Sequence, residues 1–316
     1  MSTVYQFKEK IDGTYAGHDG VHTIHYSLYL PDKQPKAVLQ IVHGMAEHFG
    51  RYEEFATFLT EQGYAVCGED HLGHGRTGAA VNEFGYYGQI EGKAQDHMVE
   101  DIHTLRCLMR EKYGSVPYFL LGHSMGSMLT RIYLTRYGDD LTAAIIMGTV
   151  GPNDQARMAL PLVKLIQRFY GPKHKSKLLY AVAFGSYNKR FPDPSERLGW
   201  QSQDPEVLKA FRSDPYCNFM LSCSAFQTML EMILFISRPQ WASEVPGDLP
   251  LLITAGELDP VGDFGKGPRW VYDAFLALGR KNVVLQMYPD MRHEILNEPC
   301  KKETFANILN WMEQYL

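Results

Sequence analysis

No apolar run in the 316-residue sequence approaches the roughly 18–20 residues that a helix needs to cross a bilayer; the densest, Met229–Ile236, is interrupted by Glu231. The start, MSTVYQFKEK, has no basic segment followed by an apolar stretch, so it does not read as a secretory signal. Five cysteines (Cys67, Cys107, Cys217, Cys223 and Cys300) are scattered, with no CxxC pair. Neither a disulfide framework nor a zinc site is expected, and a reducing cytoplasm is the expected compartment. No internal repeat or low-complexity tract is present. The balance of charge is short of positive residues, with 31 Lys and Arg against 36 Asp and Glu, a net of −5. A general nucleic-acid-binding surface is therefore not expected.

What is there is an ordinary globular composition, 45% hydrophobic and 21% charged. It is long enough for one large α/β domain carrying an insertion. Val4–Lys8 reads as a weak strand and His22–Leu30 as a strand with clear alternation. From there, short apolar runs of the kind buried on both faces of a parallel sheet alternate with helical patterns. The runs are Ala37–Val42, Tyr64–Cys67, Pro117–Leu121, Ala143–Met147, Leu249–Ala255 and Val283–Tyr288. The helical patterns are Tyr52–Glu61, Asp96–Tyr113, Met125–Tyr137, Gly267–Leu278 and Lys302–Tyr315. Such alternation implies βαβ units and a mostly parallel central sheet flanked by helices. It divides the chain into a first core part (1–150), a helical cap insertion (151–240) and a second core part (241–316).

One motif carries chemistry. The run Tyr118–Leu121 enters Gly122-His-Ser124-Met125-Gly126 and then a helix, which is G-x-S-x-G in its strand–turn–helix context. The glycines let strand and helix approach closely, the turn lifts the Ser124 hydroxyl clear of the sheet, and the Met125 N–H lies at a helix N-terminus suited to an oxyanion. A serine nucleophile needs a base and a carboxylate to orient it. Asp259 follows the strand Leu249–Ala255, with Glu257 and Asp263 as rivals. His293 follows the strand Val283–Tyr288, with His174 of the insertion as its rival. Both loops leave the carboxyl ends of strands, where α/β sheets place their sites. The second oxyanion donor is expected from the loop His43-Gly44-Met45, as the Met45 N–H. His43, Asp70 and His74 are expected to be structural.

These segments resemble a family. His43-Gly-Met-Ala-Glu47-His48-Phe-Gly-Arg51-Tyr52, Asp70-His-Leu-Gly-His-Gly75, Phe119-Leu-Leu-Gly-His-Ser-Met-Gly126, Gly256-Glu-Leu-Asp259-Pro-Val and His293-Glu-Ile-Leu-Asn297-Glu are similar to the monoacylglycerol lipase and lysophospholipase branch of the α/β-hydrolases. The resemblance spans roughly 20–150 and 245–315. It implies an α/β-hydrolase fold, a Ser124–Asp259–His293 triad, Met45 and Met125 as oxyanion donors, no cofactor, no metal, and a single-chain lipid ester as substrate. Departures are Ser127, where many relatives carry glycine, and Thr77, where serine is commoner. A proline iminopeptidase-type peptidase shares the fold and triad, but it needs cap carboxylates to hold a free amine, and the insertion has only seven acids. A general carboxylesterase or thioesterase for small acyl groups is a further alternative. A dehalogenase or epoxide hydrolase would need Asp at position 124.

The insertion is chemically distinct. Residues 151–240 hold twelve Lys and Arg, and 151–190 hold eight of them against the single acid Asp154. Met158, Leu162, Leu165, Ile166 and Phe169 fall on one helical face beside these cations, with Pro161 expected to start or kink the helix. Such a helix could rest peripherally on an anionic membrane surface. Asn218–Ile236 reads as a second apolar helix, and Phe219, Phe226, Met229 and Met232 are candidates to line an acyl pocket.

Overall fold

Alternate residues of each short apolar run face opposite sides of one sheet, so a strand covered by helices on both faces must be apolar throughout. The computed structural model of the chain describes residues 9–88, 93–191 and 197–316. In chain order the strands are β1 (Glu9–Ala16), β2 (Thr23–Leu30), β3 (Ala37–Val42), β4 (Tyr64–Glu69), β5 (Tyr118–His123), β6 (Ala143–Met147), β7 (Leu251–Gly256) and β8 (Val283–Tyr288). They form one sheet in the order β1-β2-β4-β3-β5-β6-β7-β8. β2 runs antiparallel to β1 and β4, and every later pairing is parallel. This is the α/β-hydrolase fold.

The helices are α1 (Glu53–Glu61), α2 (Gly75–Val81), α3 (Ala94–Tyr113), α4 (Met125–Tyr137), α5 (Asp154–Tyr170), α6 (Lys177–Phe184), α7 (Pro205–Ser213), α8 (Cys223–Ile236), α9 (Lys266–Leu276) and α10 (Lys301–Met312). On one side of the sheet, Val42, Leu120 and Ile146 pack with Ile102 of α3, Leu129 of α4 and Phe275 of α9. On the other, Ile41, Leu121 and Ile145 pack with Phe55 of α1 and Phe305 of α10. Each fully buried side chain of this kind contributes roughly 1.5–3 kcal/mol, and these two layers fix the sheet whose carboxyl edge carries the site. No helix among the described residues is long and apolar enough to cross a membrane.

Val4–Lys8 lies outside the described residues, and the first described strand, β1, begins at Glu9. Its sequence EKIDGTYA is charged, yet Ile11, Gly13 and Tyr15 alternate toward the half-buried side of an edge strand. The helix α2 lies where the sequence shows no clear helical pattern; it is short and contains Gly75 and Gly78, which weaken a helical signal.

Between β6 and β7 the chain forms α5 to α8. α5 starts at Asp154, where Asn153 Oδ1 accepts the Gln155 N–H at 2.9 Å, and it continues through Pro161. Most of its apolar stripe does not face the core: only Ile166 of the stripe packs against it. Val163 is buried, whereas Met158 (73%), Leu165 (52%) and Phe169 (74%) are largely exposed. α8 begins five residues later than its apolar pattern. Ser222 Oγ caps it by accepting the Ala225 N–H, and Asn218 sits in the left-handed region at φ 57°.

Candidate active site

β5 runs directly into α4 through Ser124, which has φ 54° and ψ −118°. A non-glycine residue in this region is strained by about 1–3 kcal/mol. The surroundings enforce it. The Ser124 N–H donates to the Met147 carbonyl of β6 at 3.0 Å, and the Ser124 carbonyl accepts the Ser127 N–H at 2.9 Å. A Cβ on Gly126 would run into the Val42 carbonyl, and one on Gly122 into the Gly126 carbonyl. Both glycines are thus required for the close strand–helix approach.

The loop after β8 places His293, and the loop after β7 places Asp259. His293 Nδ1 is 2.9 Å from Asp259 Oδ2, and Asp259 Oδ1 accepts the Val261 N–H at 2.9 Å. A carboxylate only accepts, so Nδ1 carries the proton and Nε2 of the neutral ring keeps its lone pair. Asp259 is fully buried and His293 nearly so. The rival acids are occupied elsewhere: Glu257 pairs with Arg269 at 3.2 Å and Asp263 with Lys266 at 2.8 Å, both in solvent. His174 stacks on Tyr170 in the turn between α5 and α6. The His293 ring lies 5.1 Å from Trp200 and 4.7 Å from His123.

The loop after β3 passes beside Ser124. A Cβ on Gly44 would lie 3.2 Å from Ser124 Cβ, so glycine lets the backbone carrying Met45 close in. Met45, Ser124 and His293 line one narrow chamber of about 40 Å³. Met125 opens α4, whose first N–H groups lack acceptors inside the helix. His43 is a fold histidine. Burial, and then the neighbouring His71, push its pKa down to about 3. Its Nδ1–H donates to the Gly44 carbonyl at 2.7 Å while Nε2 accepts the His71 N–H at 3.1 Å. Asp70 accepts the Phe49 and Arg76 N–H groups, and His74 Nδ1 donates to the Leu72 carbonyl.

A charged network lies against the chamber. Glu47 Oε1 accepts the Gly44 N–H at 2.6 Å and the Tyr52 hydroxyl at 2.8 Å. Burial alone would raise the Glu47 pKa, but the hydrogen bond from His123 and the Arg51 charge hold it well below the usual carboxylate range. His123 moves upward: burial opposes this, and the Glu47 hydrogen bond and charge outweigh it. One further cluster has metal-ligating residue types, His48, Asp214 and Cys217. His48 Nδ1 accepts the Gly50 N–H, so Nε2 carries the proton and donates to Asp214 at 2.9 Å. A metal on Nε2 would require the opposite tautomer, so the set does not fit one.

A family model described as serine aminopeptidase, S33, matches residues 33–300. The chain belongs to that family. It is 29% identical to a monoacylglycerol lipase of Mycolicibacterium smegmatis over 96% of this chain and 97% of that one. It is 32% identical to a monoglyceride lipase homolog of Monkeypox virus over 92% and 94% of the two. Among solved structures, a highly thermostable carboxyl esterase from Bacillus coagulans in complex with glycerol superimposes with a TM-score of 0.91 at 30% identity, covering 97% and 98% of the chains. A lipase in an open form gives 0.88 at 26% identity, covering 97% and 99%. This S33-family chain is a carboxylic-ester hydrolase by class.

In this S33-family hydrolase the cap candidates separate. Phe219 borders the chamber and packs against His74 and Phe84. Phe226 and Met232 are buried in the main core, and half-buried Met229 packs against it. The reason is that α8 lies on α4 and α5, so its apolar face is consumed by packing. The lining comes instead from residues that sequence reading missed. Tyr180, Phe184, Leu198 and Trp200 border both the chamber and an adjoining cleft of about 940 Å³. The i, i+4 spacing of Tyr180 and Phe184 was a usable signal; Trp200 lies on a turn and offered none.

Proposed function

We propose that the chain is a serine carboxylic-ester hydrolase that cleaves single-chain lipid esters, monoacylglycerols or lysophospholipids. The observation carrying this reading is the pairing of a narrow chamber at Ser124, His293 and Met45 with a wider cleft walled by Tyr180, Phe184, Leu198, Trp200 and Met220. An ester carbonyl would sit in the chamber and one acyl chain in the cleft, whose volume lies within the usual range for small-molecule sites. The lipase names of the full-length relatives agree with it.

In this mechanism the Ser124 hydroxyl attacks the ester carbonyl while His293 Nε2 takes its proton. Asp259 holds the ring and stabilises the imidazolium that forms. The N–H groups of Met45 and Met125 receive the tetrahedral oxyanion. His293 then protonates the departing alcohol, and water, deprotonated by His293, releases the acid from the Ser124 ester. Residues 151–240 act as the cap over this site. Ser124→Ala should lower ester turnover by at least ~10⁴-fold with an unchanged melting temperature. Full activity of that variant on p-nitrophenyl esters would overturn the assignment.

A small-acyl carboxylesterase is the second reading, favoured by the chamber of only about 40 Å³ and by the carboxyl esterase relative. Turnover that falls steadily from butyrate to palmitate esters would select it. An aminopeptidase is disfavoured, because the two carboxylates bordering the chamber, Glu47 and Glu294, are both engaged by Arg51. The exposed apolar residues of α5 and α6, Met158, Phe169, Leu178 and Val182, alternate along the chain with Arg157, Lys164, Arg168 and Lys177. This face suits peripheral contact with an anionic bilayer. Cosedimentation with phosphatidylglycerol vesicles should be salt-dependent; absence of binding at low salt would remove the membrane contact from the proposal.

A further inference from the structure

Arg51 is 11% exposed and stands where three separate segments meet. Its Nη1–H groups donate to Glu47 Oε2 at 2.7 Å and to Glu294 Oε1 at 2.9 Å, and its Nη2 donates to Glu294 Oε2 at 2.6 Å. Its guanidinium lies 4.7 Å from the centre of the Phe211 ring, on α7. Each partner belongs to a part of the site that must be held in register. Glu47 also binds the Gly44 N–H, one residue before Met45. Glu294 directly follows His293, and its own N–H donates to the Gln201 carbonyl at 2.8 Å. Phe211 itself lines the chamber.

A second route joins the same two loops. His123 Nδ1 lies 3.3 Å from Glu47 Oε1 and 2.9 Å from the Tyr52 hydroxyl, while Nε2 lies 3.3 Å from the His293 carbonyl. That carbonyl only accepts, so Nε2 must donate to it. Glu47 and Glu294 thus bear on opposite ends of the base–oxyanion arrangement, and one planar fork holds both. A fork of five fixed donors suits this task, and a single ammonium does not.

We infer that Arg51 is a positioning residue: its guanidinium locks the loop bearing His293 to the loop bearing the Met45 oxyanion donor and seats α7 of the cap on both. The inference rests on the reading of Ser124, His293 and Met45 as the reacting groups. A displacement of about 1 Å between such groups costs on the order of 10²-fold in rate. The loss belongs in kcat, because it concerns geometry required in the transition state rather than substrate affinity.

The test compares wild type, Arg51→Lys and the charge-balanced double variant Arg51→Met with Glu294→Gln. Readouts are kcat and KM on p-nitrophenyl butyrate and octanoate, the labelling rate of Ser124 by an alkyl fluorophosphonate, and the melting temperature. Arg51→Lys should stay folded. Its kcat and labelling rate should each fall about ten- to hundred-fold, with KM within about threefold of wild type. The double variant should fall at least as far. Wild-type kcat in Arg51→Lys would overturn the inference, as would a loss confined to KM, which marks a substrate-holding role. Failure of both variants to fold would overturn it in favour of a purely structural role. A wild-type protein that hydrolyses neither ester would instead overturn the ester-hydrolase reading, and this inference with it.

Discussion

Replacing Asp259 by asparagine changes one atom type at a site with no solvent. The wild-type carboxylate accepts two hydrogen bonds at 2.9 Å, from His293 Nδ1 and from the Val261 N–H. The amide can keep the Val261 contact with its oxygen, but it then turns its NH₂ toward His293. Nδ1 must become the acceptor, and the ring proton moves to Nε2. The lone pair that would take the Ser124 proton is lost, and the imidazolium loses its counter-charge. The corresponding change in a serine-protease triad lowers kcat by ~10⁴-fold, or roughly 5.5 kcal/mol of transition-state stabilisation. The fold should suffer little, because shape and one hydrogen bond survive; the lost charge-assisted bond contributes about 1.5–3 kcal/mol at most. The assay is kcat on p-nitrophenyl butyrate at pH 7–9, with urea unfolding beside it. Glu257→Gln and Asp263→Asn serve as controls and should retain near-wild-type kcat. A kcat of Asp259→Asn within tenfold of wild type, or a larger loss in either control, would refute the orientation argument.

Stability should depend on pH through buried groups. Glu69 is fully buried, and burial raises its pKa from 4.5 to about 8. Its folded value exceeds its unfolded one, so the stabilisation is complete below pH 4.5 and is lost as pH rises through 8. Glu69→Gln should flatten that loss, on the order of 5 kcal/mol accrued between pH 4.5 and 8, in urea titrations; an unchanged slope would argue against it. Burial lowers His43 to about 3 and His71 to about 4, so their contribution is present above pH 6.5 and fades as pH falls toward those values. Gly126→Ala should destabilise by ~3 kcal/mol or more through collision with the Val42 carbonyl. At Gly114 an added Cβ meets nothing, so Gly114→Ala should cost only its backbone strain at φ +70° and ψ −139°, about 1–3 kcal/mol. Equal melting temperatures for the two would contradict the steric account of the turn.

The core was legible because its signal is redundant. Ala143–Met147 and Met125–Tyr137 have the bounds their apolar pattern implies, since a strand buried on both faces and a helix closed by glycine leave few alternatives, and the partly exposed edge strand Val283–Tyr288 also keeps its bounds. Where a second force competes, the pattern misleads. Asn218–Leu221 are as apolar as α8, yet the Asn218 N–H is taken by the Ala46 carbonyl and Ser222 starts the helix later. The α5 stripe has helical period, but four of its five residues, all except Ile166, are exposed, because periodicity reports a face and not what covers it. The pairing of Asp259 with His293 could be anticipated from strand ends. The roles of Arg51, Glu294 and Trp200 around them depend on contacts between segments more than 90 residues apart in sequence, as with Arg51 and Glu294, which are 243 apart.

The central claim is that Ser124 is the nucleophile of an ester hydrolase, and covalent trapping addresses it without assuming a substrate. Treatment with a p-nitrophenyl alkylphosphonate should release one p-nitrophenolate per chain as activity disappears. Peptide mapping should place a single alkylphosphonyl group on Ser124, and Ser124→Ala should take up none. A phosphonyl group on any other residue of a fully inactivated enzyme, or an inactivation that leaves Ser124 unmodified, would contradict the claim.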